Sequence, residues 1–270
     1  MNFCISNIAW EVSEDKDVAT LLNSMNVNLI DLAPSKYFPN FKEASEREII
    51  EVRQWWNGNG VKIHGMQSLL FGITNLNIFG SKNDRKFLLG HLSEVCRIGS
   101  LLGAKKLVFG SPKNRDRSKL SNMQTSNIAL DFFYQLGEVA AHYDLIICLE
   151  PNPACYGCNF LTTTLETEKF TRSLNHKSIM MQLDTGAMII NKENFEDVVE
   201  ASRDLIGHIH LSEADLIPIV RENQNHLSLA PIIKKYFSNR VLSIEMLSSR
   251  NESNLKIIKQ ALEAVHTIYS

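Results

Sequence analysis

LIICLEPN, residues 145–152, is an apolar run that stops on an acid: five uncharged residues lead straight into Glu150. A carboxylate at the end of a buried strand costs free energy unless something compensates it. The same figure returns three times further along the chain. SIMMQLD (178–184) ends on Asp184, GHIHL (207–211) carries His210, and RVLSIE (240–245) ends on Glu245. Their separations are 34, 26 and 35 residues, each near the length of one strand and one helix.

Working outward, the pattern extends to the whole chain. Earlier apolar runs are NFCISNIAW (2–10), NLIDLAP (28–34), VKIHGMQSLL (61–70) and KKLVFGSP (105–112). Amphipathic stretches expected to be helical follow the eight runs at about 15–26, 43–57, 83–102, 122–143, 163–175, 193–204, 226–237 and 251–267. Ser13, Asn83 and Asn191 read as helix caps. Strands that alternate with helices pair in parallel, because each return needs a crossover. Eight such units predict a (β/α)8 TIM barrel, one α/β domain over residues 1–270, with its reactive face at the C-terminal ends of the strands. The rival is an open doubly wound sheet. That fold more often carries a glycine-rich phosphate turn after its first strand, and IAWEVSEDKD contains no glycine.

The 270 residues are 44% hydrophobic and 21% charged, with net charge −2. Such a balance gives no basic footprint for nucleic acid or for an anionic membrane. Five cysteines, at 4, 96, 148, 155 and 158, fit no disulfide framework and point to a reducing cytoplasm. The N-terminus lacks the basic region of a signal peptide, and no apolar run reaches the length of a membrane span.

Barrel closure places the last four strands around one mouth. With period-two alternation, Cys148, Gln182, His208 and Ser243 point inward with Glu150, Asp184, His210 and Glu245, while Leu149, Leu183, Ile209 and Ile244 point out to the helices. Any one of the four strand-end residues alone reads as a salt-bridged strand end. Three carboxylates and an imidazole gathered together need a cation, since like charges otherwise raise each other's pKa. Oxygen-rich donors with one nitrogen favour a single divalent ion, Mn2+ first, then Mg2+ or Co2+, over thiolate-seeking Zn2+.

The motifs LEPN, QLDTG, GHIHLSE and SIE resemble the xylose-isomerase-like barrel superfamily, and within it the sugar isomerases and ketose 3-epimerases. The resemblance implies metal ligands Glu150, Asp184, His210 and Glu245, with Glu150 and Glu245 also serving as the acid–base pair. It implies a carbohydrate substrate and an enediolate formed by removing a proton beside a carbonyl. Homodimers or homotetramers are common in such barrels. Two positions depart from the ketose-epimerase pattern: Ala187 replaces a histidine and Leu216 an arginine. The metal platform is kept while the substrate-reading residues have changed.

Further candidates surround this tetrad. FGSPKNRDR (109–117) offers Lys113, Arg115 and Arg117 to a phosphate or carboxylate, which predicts an anionic sugar derivative. The bland alternative is a solvated basic loop. Asn152, Tyr156 and Phe160 are expected to line the pocket, and Gln67 to reach substrate. His208 and Glu213 join this substrate-binding set, Glu213 with a second option as an orienter of a ligand. Asp204 and Asp215 lie near His210 and read equally as surface residues. His64, Trp10 and Phe71 read as interior or wall residues. The lone C-x-x-C at Cys155 and Cys158 is a weak signal for metal or redox chemistry. The competing functions are a keto-sugar or keto-cyclitol dehydratase like the inosose-dehydratase branch, an endonuclease-IV-like nuclease, and a non-catalytic binding barrel.

Overall fold

The computed structural model describes residues 1–248 and 252–270. Eight parallel strands close into a barrel in sequence order. They are β1 (Asn2–Ser6), β2 (Leu29–Leu32), β3 (Lys62–Met66), β4 (Lys106–Phe109), β5 (Ile146–Leu149), β6 (Ile179–Asp184), β7 (Ile206–Leu211) and β8 (Val241–Ile244). Closure is direct: β1 pairs β8 from Asn2↔Val241 to Ile5↔Ile244. No open doubly wound sheet has that pairing.

The helices are α1 (Asp15–Ser24), α2 (Glu46–Gly58), α3 (Lys82–Leu102), α4 (Asn122–His142), α5 (Thr164–Leu174), α6 (Thr185–Ile190), α7 (Phe195–Ser202), α8 (Gln224–Phe237) and α9 (Asn254–Tyr269). Among the described residues, no helix is long and apolar enough to cross a membrane. The expected start of the last helix, residue 251, lies outside the described residues.

The expected caps are displaced. Glu14, not Ser13, precedes α1. Ser81 caps α3 in place of Asn83, accepting from Asp84 N while Asp84 bonds back. Asn194 caps α7 in place of Asn191. The S-x-x-D pairing in SKND was the stronger signal, because a reciprocal box satisfies two orphan donors and a single Asn satisfies one. The same boxes start α2 at Ser45 with Glu48 and α4 at Ser121 with Gln124.

The two faces of each strand separate as period two requires. Leu149, Leu183, Ile209 and Ile244 are buried in the apolar layer under the helices. Polar side chains occupy the barrel interior instead. His208 on β7 reaches Asp31 on β2 across the lumen, Nε2 to Oδ2 2.9 Å. A register shift between Met181 and Gln182 leaves Gly207 as an extra residue, so Gln182 aligns with His208 and Asp184 with His210. Such a bulge re-aims the side chains beyond it. It carries both histidines of β7 into the barrel.

Candidate functional site

Glu150 follows β5 directly and Glu245 follows β8, while Asp184 ends β6 and His210 lies in β7. The four strand ends bring one donor atom each to within 4.8 Å of the others. His210 Nδ1 stands 3.5 Å from Glu150 Oε1, 3.2 Å from Glu245 Oε2 and 3.9 Å from Asp184 Oδ2. Oxygen and nitrogen ligands lie about 2.0–2.4 Å from a divalent ion, so ligands of one ion stand about 3 to 4.5 Å apart. The spacings here match that shell, and the donor set contains no thiolate.

The electrostatics point the same way. Burial, then the charges of Glu150 and Glu245, push the Asp184 carboxyl up to about 8. Burial alone would lower the His210 pKa, yet Glu245 and Glu150 hold it well above the usual imidazole value. Glu245 is held below its ordinary value: burial opposes this, and the His210 charge and hydrogen bonds outweigh it. Without a cation, the cluster keeps protons that three exposed carboxylates would shed. The residues fit a divalent metal.

Each of the three carboxylates has an oxygen held by a neighbouring donor. Glu150 Oε2 accepts from Asn152 Nδ2 at 3.0 Å, and Glu245 Oε1 accepts from Gln67 Nε2 at 2.6 Å. Asp184 Oδ1 accepts from Ala187 N at 2.6 Å, capping α6, and Oδ2 accepts from Ser212 Oγ at 3.0 Å. His210 Nε2 faces Asp31 Oδ2 at 3.9 Å. Asp31 is 1% exposed. Burial would raise its pKa, but His208, His64 and His210 hold it far below the usual carboxylate range. Asp31 was missed in the sequence. The signal was an acid in the middle of NLIDLAP, a position that an apolar strand does not leave charged without reason. Carboxylates behind metal-bound imidazoles fix ring orientation and raise basicity.

Above the tetrad opens a cavity of about 420 Å3. Of the expected substrate-binding residues, Asn152, Tyr156 and Glu213 line it. The others sit elsewhere. Gln67 lies behind Glu245 with its amide nitrogen bound there. His208 lies one layer below, against Asp31 and 3.1 Å from the Gln182 amide. Lys113 is exposed to solvent outside the cavity wall, where its neighbour Pro112 contributes instead.

Arg115 is the clearest correction. Its side chain is fully buried, Nη1 donates to Glu150 O at 3.1 Å, and Nη2 donates to Asn152 Oδ1. The guanidinium braces the loop that carries Glu150 through both Nη atoms, while its Nε is buried without a partner, and none of it is exposed to solvent. Arg117 is likewise held by Asn159, with Nε to the carbonyl at 3.0 Å. Arg115→Ala is therefore expected to lower unfolding stability by about 3 kcal/mol, since it opens a cavity and leaves two buried acceptors unpaired. A denaturant melt reads this. Unchanged stability together with weakened phosphate binding would restore the anion-reading role.

Gly110, in the same loop, makes room for Glu150. A β-carbon there would lie 2.3 Å from Glu150 Oε2. The absent side chain is the space that the carboxylate occupies. Gly110→Ala is expected to rotate Glu150 with little change in fold, and, if Glu150 is a reacting group, to cut turnover about a hundredfold, because small displacements of such a group cost that much. A variant with full turnover would show that Glu150 tolerates a different rotamer.

The remaining candidates are structural. Trp10 is core, its Nε1 donating to Asp15 Oδ1 at 2.8 Å. Phe160 is buried against Phe79 and Phe170. His64 packs its ring 5.5 Å from His208, Phe71 is largely exposed, and Asp204 pairs with Arg172 at the surface. Cys155 and Cys158 are free thiols, and Cys158 Sγ donates to Phe160 O at 3.2 Å.

No protein of curated function matches the chain by sequence. Solved structures do share its architecture. A D-psicose 3-epimerase, determined in the presence of D-fructose, superimposes with a TM-score of 0.81 at 14% identity, covering 100% of this chain and 99% of that one. The 3-keto-D-glucoside 4-epimerase of E. coli gives 0.78 at 16% identity, covering 99% of each chain. The IOLI protein with a bound zinc atom gives 0.76 at 15% identity, covering 100% and 98%. At these identities the likeness is one of fold. The family profile described as xylose isomerase-like TIM barrel matches residues 20–265, and together with the closed eight-stranded barrel it settles the relationship: the chain belongs to the xylose isomerase-like TIM barrel family.

Proposed function

We propose that the protein is a divalent-metal-dependent epimerase or isomerase of a sugar or sugar derivative, working by proton transfer next to a carbonyl. One observation carries this reading. Two glutamates that directly follow strands β5 and β8 each turn one oxygen to the common cluster, and each has the other oxygen held by a side-chain amide. Their side chains are 13% and 12% exposed, so both reach the cavity. The epimerase structures that share this fold add support.

Glu150, Asp184, His210 and Glu245 would hold the ion, with Mn2+ preferred on donor hardness. A bound divalent cation polarises a carbonyl and makes the neighbouring C–H acidic. The protein's own groups do the rest. One glutamate takes the proton from one face of the substrate, and the other returns it to the opposite face of the planar enediolate. Inversion at that carbon is epimerisation, and return to the neighbouring carbon is isomerisation. Asn152 and Gln67 keep the two carboxylates in place while their charge changes. Cytoplasmic location and a homodimer or homotetramer complete the reading.

Metal-loaded protein in D2O, given a panel of ketoses and keto-glycosides, is the test. Deuterium next to the carbonyl in a product of otherwise unchanged composition is the expected result. A product lighter by one water makes the protein a dehydratase. No deuterium in any ketose or keto-glycoside removes the proposal.

A further inference from the structure

Glu213 is 7% exposed, lines the cavity, and takes no part in the cluster. Its Oε1 accepts from Asn223 Nδ2 at 2.7 Å and lies 3.0 Å from His226 Nε2. His226 is itself fully buried, with Nδ1 2.7 Å from the Tyr269 hydroxyl. Glu213 Oε2 has no hydrogen-bond partner among the described residues. A buried carboxylate with one oxygen anchored and the other open to a cavity is an acceptor waiting for a donor.

The turn that carries Glu213 is clamped on both sides. Asp215 N donates to the Tyr156 hydroxyl at 3.0 Å, and Leu247 N donates to Leu216 O at 2.8 Å. Tyr156 belongs to the loop after Glu150, and Leu247 follows Glu245 by two residues. Asp215 and Leu216 take left-handed φ values of 56° and 55°, a conformation that non-glycine residues hold only when their surroundings enforce it. The distance from Glu213 to both proposed bases is thus set by the fold.

Resting on the epimerase reading above, we infer that Glu213 Oε2 binds a hydrogen-bond donor on the non-reacting part of the substrate. A hydroxyl or an ammonium fits this acceptor, and a phosphate or carboxylate is repelled by it. The distal wall agrees. Pro112, Pro153, Tyr156 and Leu216 form it, with Asp215 beside them, and the nearby Arg115 and Arg117 are bound to protein groups. The substrate is accordingly a neutral or amino-bearing hydroxy-ketone. It is not the anionic sugar that the basic loop suggested.

The test uses Mn2+-loaded full-length protein and three probes: D-fructose, 6-amino-6-deoxy-D-fructose and D-fructose 6-phosphate. Calorimetric titration gives binding, and deuterium uptake from D2O gives proton transfer. Wild type is expected to bind the neutral and amino probes at least tenfold more tightly than the phosphate. Glu213→Gln is expected to narrow that ratio and to weaken the amino probe about tenfold or more. The loss falls on Kd and KM, with kcat nearly unchanged. Asn223→Asp keeps the cap on His226 N but sets a second carboxylate beside Glu213. It is expected to shift the same ratio and serves if the first variant folds poorly. Tightest binding by the phosphate, binding of none of the probes, or an unchanged ratio in Glu213→Gln overturns the inference. Correct binding order without deuterium uptake leaves Glu213 in its role and removes the proton-transfer reading instead.

Discussion

Glu150→Gln and Glu245→Gln are each expected to abolish inversion of the substrate carbon, with a loss of about a thousandfold or more in the rate at which one epimer is converted to the other. General-base groups contribute on that scale, and glutamine is nearly the same shape without a site for the proton. The fold should survive both changes, because each side chain is bound at the edge of a cavity and not packed in the apolar layer. The two variants should also differ from each other. If the two glutamates act as bases on opposite faces, as proposed, each is responsible for one epimer. Starting from either pure epimer, Glu150→Gln should spare residual exchange in one and Glu245→Gln in the other. Metal affinity must be read alongside, since each change also removes a ligand charge. Exchange measured at saturating Mn2+ separates the two effects. Wild-type exchange in both variants would place the proton transfer on other groups.

The barrel and its tetrad were legible because both rest on repetition. Eight apolar runs spaced by amphipathic stretches leave few foldable arrangements, and four runs ending on metal-seeking side chains mark one rim. The rest depends on directions that a linear pattern does not encode. Arg115 lies in a polar loop, and its basic neighbours Lys113 and Arg117 suggested a surface that reads anions. The 3-10 turn at Pro112–Asn114 instead drives the guanidinium inward under Glu150. His208 obeys the period and points inward, but a lumen has depth, and period two says nothing of which layer meets the cavity. Helix α6 went unseen because six residues are too short to show a period, and its cap, Asp184, was already assigned to the metal. That double use is itself informative. The carboxyl that would ligate the ion through Oδ2 is oriented by the α6 backbone through Oδ1.

Gly110 and Asp31 show a second limit. Both are explained only by what lies opposite them, Glu150 just past the end of the adjacent strand and His208 across the lumen. Sequence position supplies no hint of either pairing. The consequence for function is that the tetrad has a supporting layer on every side: Gln67 behind Glu245, Asn152 and Gly110 around Glu150, Ser212 beside Asp184, and Asp31 below His210. A barrel that only presents a surface to a partner has no need of such support.

Mn2+ is expected to raise the melting temperature of the protein by about 5 to 10 °C at a hundredfold excess over Kd. Binding to the native state alone gives about 2.7 kcal/mol at that ratio, and a chain of this size gains a few degrees per kcal/mol. The argument for so large a response is the cluster itself. Burial, then the charges of Glu150 and Glu245, drive Asp184 up to about 8, so the metal-free fold either holds a proton there or bears the repulsion, and a cation replaces both. Asp184→Asn tests this from the other side. Asparagine keeps an acceptor for Ala187 N and so keeps the cap of α6. It also removes one repelling charge and one ligand. The metal-free variant should therefore melt no lower than the metal-free wild type, while its gain on adding Mn2+ should fall to a small fraction. Calcium, larger and content with more oxygen ligands, should stabilise wild type less than Mn2+ because one of four donors is an imidazole nitrogen. A wild type that is indifferent to Mn2+, Mg2+ and Co2+ alike would mean that protons, not a metal, balance the three carboxylates, and the barrel would then have lost the electrophile its two glutamates require.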